Sequence, residues 1–120
     1  MKHIKPKFGE LYFADLQASG CVQGGRRPVL IVSNDTGNLH STIVEVIPLS
    51  SRIRKADYMP THVTISADYE NGLSSDSVAL AEQVQTINQS QLRAWLGRIA
   101  HPDLVRIGRA RRIQSPFPEI

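Results

Sequence analysis

The sequence predicts one small, mainly β domain finished by short helices, and three observations carry that expectation. Val29-Leu30-Ile31-Val32 and Thr42-Ile43-Val44-Glu45-Val46-Ile47 are short β-branched runs bounded by turn residues, the pattern of strands inside a sheet. Residues 9–16 and 61–65 alternate apolar and polar positions, as half-buried strands do. Apolar residues at helical spacing are concentrated after Asn88.

A chain of 120 residues buries one core without disulfides or metals, so a single domain over residues 1–120 is expected. Hydrophobic residues make up 41% and charged residues 21%, and no apolar run nears the roughly 20 residues of a membrane span. The basic start Met1-Lys2-His3-Ile4-Lys5-Pro6-Lys7 leads into a turn without the hydrophobic stretch of an export signal, so a cytoplasmic address is expected. Cys21 is the single cysteine and has no ligand-spaced His or Cys near it, which makes it a loop thiol. The net charge of +3, with arginines gathered near Arg26 and from Arg106 to Arg112, favours a polyanion or an acidic partner.

Residues 9–16 form the first strand, with Leu11, Phe13 and Leu16 on one side and Tyr12 and Ala14 on the other. Residues 17–25 carry three glycines, a serine and a cysteine, and read as a mobile connection able to close over a ligand. The second strand starts near Arg27, because Pro28 fixes its own φ and pushes Arg27 into an extended conformation. Asn34-Asp35-Thr36-Gly37-Asn38 reads as a turn. Residues 42–51 are a third strand in which Pro48 implies an edge position or a departure from the ladder. An irregular charged stretch follows, then a fourth strand at 61–65 and a turn at 69–75. Residues 77–81 and 83–86 are a strand pair or one bent strand, broken at Glu82. Asn88 caps a short helix, with Gln91 completing a capping box and Leu92, Trp95 and Leu96 on one face. Trp95 there reads as core rather than as a platform for stacking bases. Residues 97–100 return briefly as a strand. Pro102 and Asp103 open a final helix with Leu104, Ile107, Ala110 and Arg111 on one stripe and Arg106, Arg109 and Arg112 on a solvated face.

The densest chemistry lies at Gln23-Gly24-Gly25-Arg26-Arg27-Pro28. The glycines free the backbone, and Arg27 stands at the entrance of a rigid strand. A planar guanidinium that stays charged binds a phosphate there through two parallel hydrogen bonds. By itself the pattern also fits a hairpin turn with solvated arginines. No phosphate-binding glycine loop, dinucleotide fingerprint or HExxH metal site is present, and His3, His40, His62 and His101 are scattered over different elements. His40 stands apart, because its loop is placed to approach the strand end at Arg27.

Gly9-Glu10-Leu11-Tyr12-Phe13-Ala14-Asp15-Leu16, then Gln23-Gly24-Gly25 with Arg27-Pro28-Val29-Leu30-Ile31-Val32 and Asn34-Asp35, resembles the MazF/PemK family of toxin endoribonucleases. Ile47-Pro48-Leu49-Ser50-Ser51, Pro60-Thr61-His62-Val63, Asp76-Ser77-Val78-Ala79-Leu80-Ala81-Glu82-Gln83 and Thr86-Ile87 follow in the family's order and spacing, so the resemblance covers about residues 8–113. Each motif is weak alone; together, in register over one chain, they are specific.

The resemblance implies a strongly bent antiparallel sheet in an SH3-like barrel, the fold of MazF, PemK and CcdB toxins, closed by short helices and assembled as a homodimer. It implies sequence-specific cleavage of single-stranded RNA, messenger RNA included, with no metal or other cofactor, leaving a 2′,3′-cyclic phosphate and a 5′-hydroxyl. It also implies a cognate antitoxin whose tail occupies the RNA groove; the basic surface adds that this partner is acidic and partly disordered. The family's active-site pair carries over to Arg27 and Ser50, with Gln23, Gly24, Gly25, Arg26 and His40 as candidates for RNA contact. Ser50 stands where many relatives have threonine, and Val22 where some have a glutamate, which leaves the proton-transferring group open. Two other readings remain. A related branch poisons DNA gyrase by binding it and would not need Arg27 and Ser50. A plain nucleic-acid-binding β barrel would present several exposed aromatics, whereas aromatics are 6% of this chain.

Overall fold

A computed structural model describes residues 5–17, 25–52 and 59–119. In them the chain runs β1 (Glu10–Leu16), β2 (Gly25–Ile31), α1 (Asp35–His40), β3 (Ile43–Ser50), β4 (His62–Ile65), β5 (Ser77–Leu80), β6 (Gln85–Asn88), β7 (Leu92–Arg98) and α2 (His101–Gln114). Single 3-10 turns lie at Ala81–Gln83 and Gln89–Gln91. The expected mobile connection over 17–25 falls outside the described residues except at Gln17 and Gly25, as does most of the charged stretch after Arg52. Among the described residues no helix is long and apolar enough to cross a membrane.

The strands form one antiparallel sheet in the order β4-β5-β3-β2-β1-β7, with β6 also paired to β3. β3 divides one flank between two partners: residues 43–46 pair with β6, and Leu49 and Ser50 pair with β5. Pro48 sits at this changeover, so it marks a departure from one ladder and not an edge strand, since β2 lies along the other flank. The sheet is bent, as expected, and among the described residues β6 and β7 do not pair, so it curves without closing fully into a barrel.

Strand alternation sorts the apolar residues onto two faces. On one, Leu11, Leu30, Ile47, Leu49 and Ile65 pack beneath Ile107 and Ala110 of α2. On the other, Tyr12, Ala14, Leu16, Val29, Ile31, Val44, Val46 and Ile87 form a second cluster. Leu16 therefore lies with Tyr12 and Ala14, four and two residues before it, and not with Leu11. Each fully buried Leu or Ile here contributes roughly 1.5–3 kcal/mol relative to leaving it in water.

Two elements differ in kind from expectation. The 34–38 turn is the start of helix α1: Asn34 Oδ1 accepts from the Gly37 N–H at 2.8 Å, so the side chain read as a turn former acts as an N-cap. After Asn88 the capping box forms, with Gln91 Oε1 accepting from the Asn88 N–H at 3.0 Å, but it closes only one 3-10 turn before the chain becomes β7. The edge of β1 supplies ladder partners for Leu92, Trp95, Gly97 and Arg98, and this long-range pairing overrides the local helical spacing. Trp95 is consequently half-exposed instead of core, its indole N–H donating to Glu10 Oε2 at 2.9 Å. Gly97 and Gly72 let the 69–72 turn dock backbone to backbone on β7: a Cβ on Gly97 would stand 2.1 Å from Glu70 O, and one on Gly72 2.1 Å from Leu96 O. On α2 the expected stripe is present, with Ile107 and Ala110 buried and Arg111 Nη1 donating to Ala81 O at 2.7 Å. Arg106 is not merely solvated, because it donates to Thr64 O at 2.8 Å and to Asp103 at 2.9 Å, tying α2 to β4.

Candidate active site

β2 and β3 pair Val29 with Pro48 and Ile31 with Val46, and the same register continued two residues brings Arg27 opposite Ser50. Arg27 pairs on its other side with Ala14 of β1, and Ser50 with Val78 of β5, so the pair occupies one row across four strands. Alternation puts Arg27, Val29 and Ile31 on one face of the sheet with Pro48 and Ser50, the face of the Tyr12, Ala14 and Val46 cluster. Pro28 holds the backbone beside Arg27, and Gly25 opens β2 with a φ of +82° that only glycine adopts without strain.

Ser50 is buried, and its Oγ accepts from the Arg52 N–H at 3.2 Å. A hydroxyl that accepts there keeps its own hydrogen for another acceptor. Arg27 is partly buried, and its pKa is lowered, first by that burial and then by the nearby positive charge of Arg52. It remains a cation at neutral pH. The site thus offers one partly buried guanidinium, that of Arg27, and one hydroxyl donor at the end of a stiff sheet, an arrangement that suits a tetrahedral oxyanion.

Arg26 goes elsewhere. It faces the other side of β2, where its Nε meets Asp15 Oδ1 at 2.9 Å, and Arg93 Nη2 meets Asp15 Oδ2 at 2.7 Å. The hydrogen bond from Arg26 is the main reason the Asp15 carboxyl is held below the usual carboxylate range. His40 ends α1, before the start of β3, whereas Ser50 ends β3; the seven steps between Ile43 and Ser50 alone span roughly 23 Å of strand. The structure therefore does not bring His40 to the Arg27–Ser50 pair. Gln23 and Gly24 lie outside the described residues. Beside Gly25, a cleft of about 480 Å³ runs between Asp15, Leu16, Gln17, Gln85, Ile87 and Gln91, with the Gln91 amide tied into the fold by donating to Asp15 O at 2.8 Å and accepting from the Asn88 N–H at 3.0 Å.

Sequence reasoning passed over two groups. Arg52 lay in a stretch read only as charged and irregular; its signal was its position two residues after Ser50, on the same side if the strand continues. Glu82, read as a strand break, sits in the turn after β5, where its carboxylate accepts from Thr61 Oγ1 at 2.8 Å and meets His62 Nε2 at 3.0 Å. Burial by itself would raise its pKa, but hydrogen bonds from its own backbone, Thr61 and His62, with the charge of His62, lower it below the ordinary value. This cluster braces the junction of β4 and β5, the strand that flanks Ser50.

The fold is that of known toxin structures. MazF of Deinococcus radiodurans superposes with a TM-score of 0.82 at 23% identity, covering 96% of this chain and 100% of that one. A mycobacterial endoribonuclease solved in complex with its cognate antitoxin superposes at 0.76 with 25% identity, covering 96% and 99%. In sequence the chain is 44% identical over 98 residues to endoribonuclease EndoA of Bacillus subtilis, covering 81% of this chain and 80% of that protein. It is 40% identical over 103 residues to endoribonuclease MazF of Staphylococcus saprophyticus, covering 85% and 84%. The profile of PemK-like, MazF-like toxins of type II toxin–antitoxin systems matches residues 7–114, and the chain belongs to this family.

Proposed function

We propose that this chain is the toxin of a toxin–antitoxin pair: a single-domain endoribonuclease that acts in the cytoplasm as a homodimer and cuts single-stranded RNA at short sequences without a metal. The observation that carries this reading is the placement of Arg27 opposite Ser50 on adjoining strands, with Ser50 buried and its hydroxyl already fixed as an acceptor from Arg52 N–H. Attack of a ribose 2′-oxygen on the adjacent phosphorus forms the O2′–P bond and breaks the P–O5′ bond. The 2′-hydroxyl proton is lost to solvent and the leaving 5′-oxygen takes one up, so the products are a 2′,3′-cyclic phosphate and a 5′-hydroxyl. Charge on the nonbridging oxygens grows towards the transition state, and a fixed guanidinium and hydroxyl at that point bind it more tightly than the substrate. The polar cleft lined by Gln17, Gln85 and Gln91 suits bases turned out of their stack. An acidic, partly disordered antitoxin tail would compete for the same basic groove.

The reading is tested by incubating the parent and Arg27→Ala with mixed-sequence single-stranded RNA in excess chelator and identifying the product ends by mass. Cyclic-phosphate ends from the parent and intact RNA from a folded Arg27→Ala support it. Intact RNA with both overturns it and turns attention to a non-enzymatic target such as gyrase.

A further inference from the structure

Resting on that endoribonuclease reading, we infer that Arg52 is a second RNA-binding arginine of the site, taking the phosphodiester next to the one that Arg27 and Ser50 hold. Three observations meet here. Arg52 follows the buried Ser50 by two residues and is itself exposed. Its backbone N–H donates to Ser50 Oγ at 3.2 Å, which fixes this segment of chain against the hydroxyl. Its charge also reaches Arg27, where it lowers the pKa as the second cause after burial.

Two cations gathered at one end of a sheet repel each other, and an anion lying between or along them relieves that repulsion. Single-stranded RNA is such an anion, because it presents successive phosphates along one strand, and each arginine binds one through a charge-assisted pair of hydrogen bonds. The two arginines then divide the work. Arg27, partly buried and rigid on β2, meets the charge that develops at the scissile phosphorus. Arg52, exposed beyond the end of β3, binds a neighbouring phosphate that keeps the same charge throughout the reaction. An interaction equal in ground and transition states changes KM and leaves kcat in place. The backbone hydrogen bond to Ser50 survives any side-chain change at Arg52, so the hydroxyl keeps its orientation in the variants.

The test is steady-state cleavage of a short single-stranded RNA by the parent, Arg52→Gln and Arg52→Lys, from about 50 to about 200 mM salt. Arg52→Gln is expected to raise KM about tenfold, leave kcat within about threefold, and flatten the slope of log KM against log salt by about 0.7, one single-strand phosphate contact. Arg52→Lys keeps the charge, so it retains the parent's salt slope while recovering only part of the affinity. A folded Arg52→Gln with the parent's KM and salt slope overturns this inference alone, and so does a loss of slope in Arg52→Lys. A parent that cleaves no RNA overturns the endoribonuclease reading and this inference with it.

Discussion

The antiparallel register that pairs Val29 of β2 with Pro48 of β3, continued two residues, sets the position of Arg27 opposite that of Ser50, and neither residue could be moved by one position without turning to the opposite face of the sheet. On a pleated sheet, register decides which side chains share a surface. The preceding residue shows the consequence: Arg26 carries the same charge as Arg27 and spends it on Asp15.

Removing the Arg27 guanidinium deletes a preorganised donor at the reacting phosphate. Arg27→Ala is expected to lower kcat by roughly 10²–10³, with Ser50→Ala costing a similar or smaller factor. Rates on one defined RNA, with circular dichroism of each variant, check this; wild-type turnover by folded Arg27→Ala would remove Arg27 from the site.

The Glu82 carboxylate titrates below its unfolded value, so its contribution to stability is present above the unfolded pKa and is lost as pH falls through the lower folded pKa. Thermal melts of the parent should decline below about pH 4.5, near the ordinary glutamate value. Glu82→Gln should lose about 1–3 kcal/mol at neutral pH and show a flatter acid limb. Parallel acid limbs in parent and variant would show that another carboxylate governs the decline.

Tyr12 is pushed up to about 12 by burial first, then by the charge of Glu10 and a 3.4 Å hydrogen bond to it. Its neutral form is the one the fold favours, so this stability is complete below the unfolded value and is lost as pH rises towards the folded one. Ultraviolet titration of the three tyrosines should leave one phenol unionised beyond pH 10, near the ordinary tyrosine value, and Tyr12→Phe should abolish that late step.

Gly97 and Gly108 should respond to alanine with opposite signs. A Cβ on Gly97 would meet Glu70 O at 2.1 Å, which forces the 69–72 turn off β7 and should cost about 1–3 kcal/mol. Gly108 lies within α2, where a Cβ would find only Arg112 Nη1 at 3.8 Å; Gly108→Ala should stabilise by roughly 0.5–1 kcal/mol. Melting temperatures measured side by side decide both.

Most of the strands were legible because β-branched runs and alternation are local properties, and their bounds moved by only a residue or two. Leu16 was assigned to the wrong side of β1 although period two alone would have placed it correctly. Trp95 could not have been placed from its neighbours: Leu92 and Leu96 lie at helical spacing, and only the waiting edge of β1 makes that segment a strand. His40 and Arg27 are near in sequence terms, yet α1 and the length of β3 separate His40 from Ser50.

By itself, then, the sequence determined the strands other than β7, the final helix with its Ile107 and Ala110 stripe, the proline-braced arginine at position 27 and the family to which they belong. Tertiary structure decided which of these meet. Curvature of the sheet, the change of partner along β3 at Pro48, the docking of the 69–72 turn through Gly72 and Gly97, and the pairing of Ser50 with Val78 of β5 all depend on long-range contacts. Those pairings join residues tens of positions apart, and their energies come from burial and backbone hydrogen bonds that no short window of sequence contains.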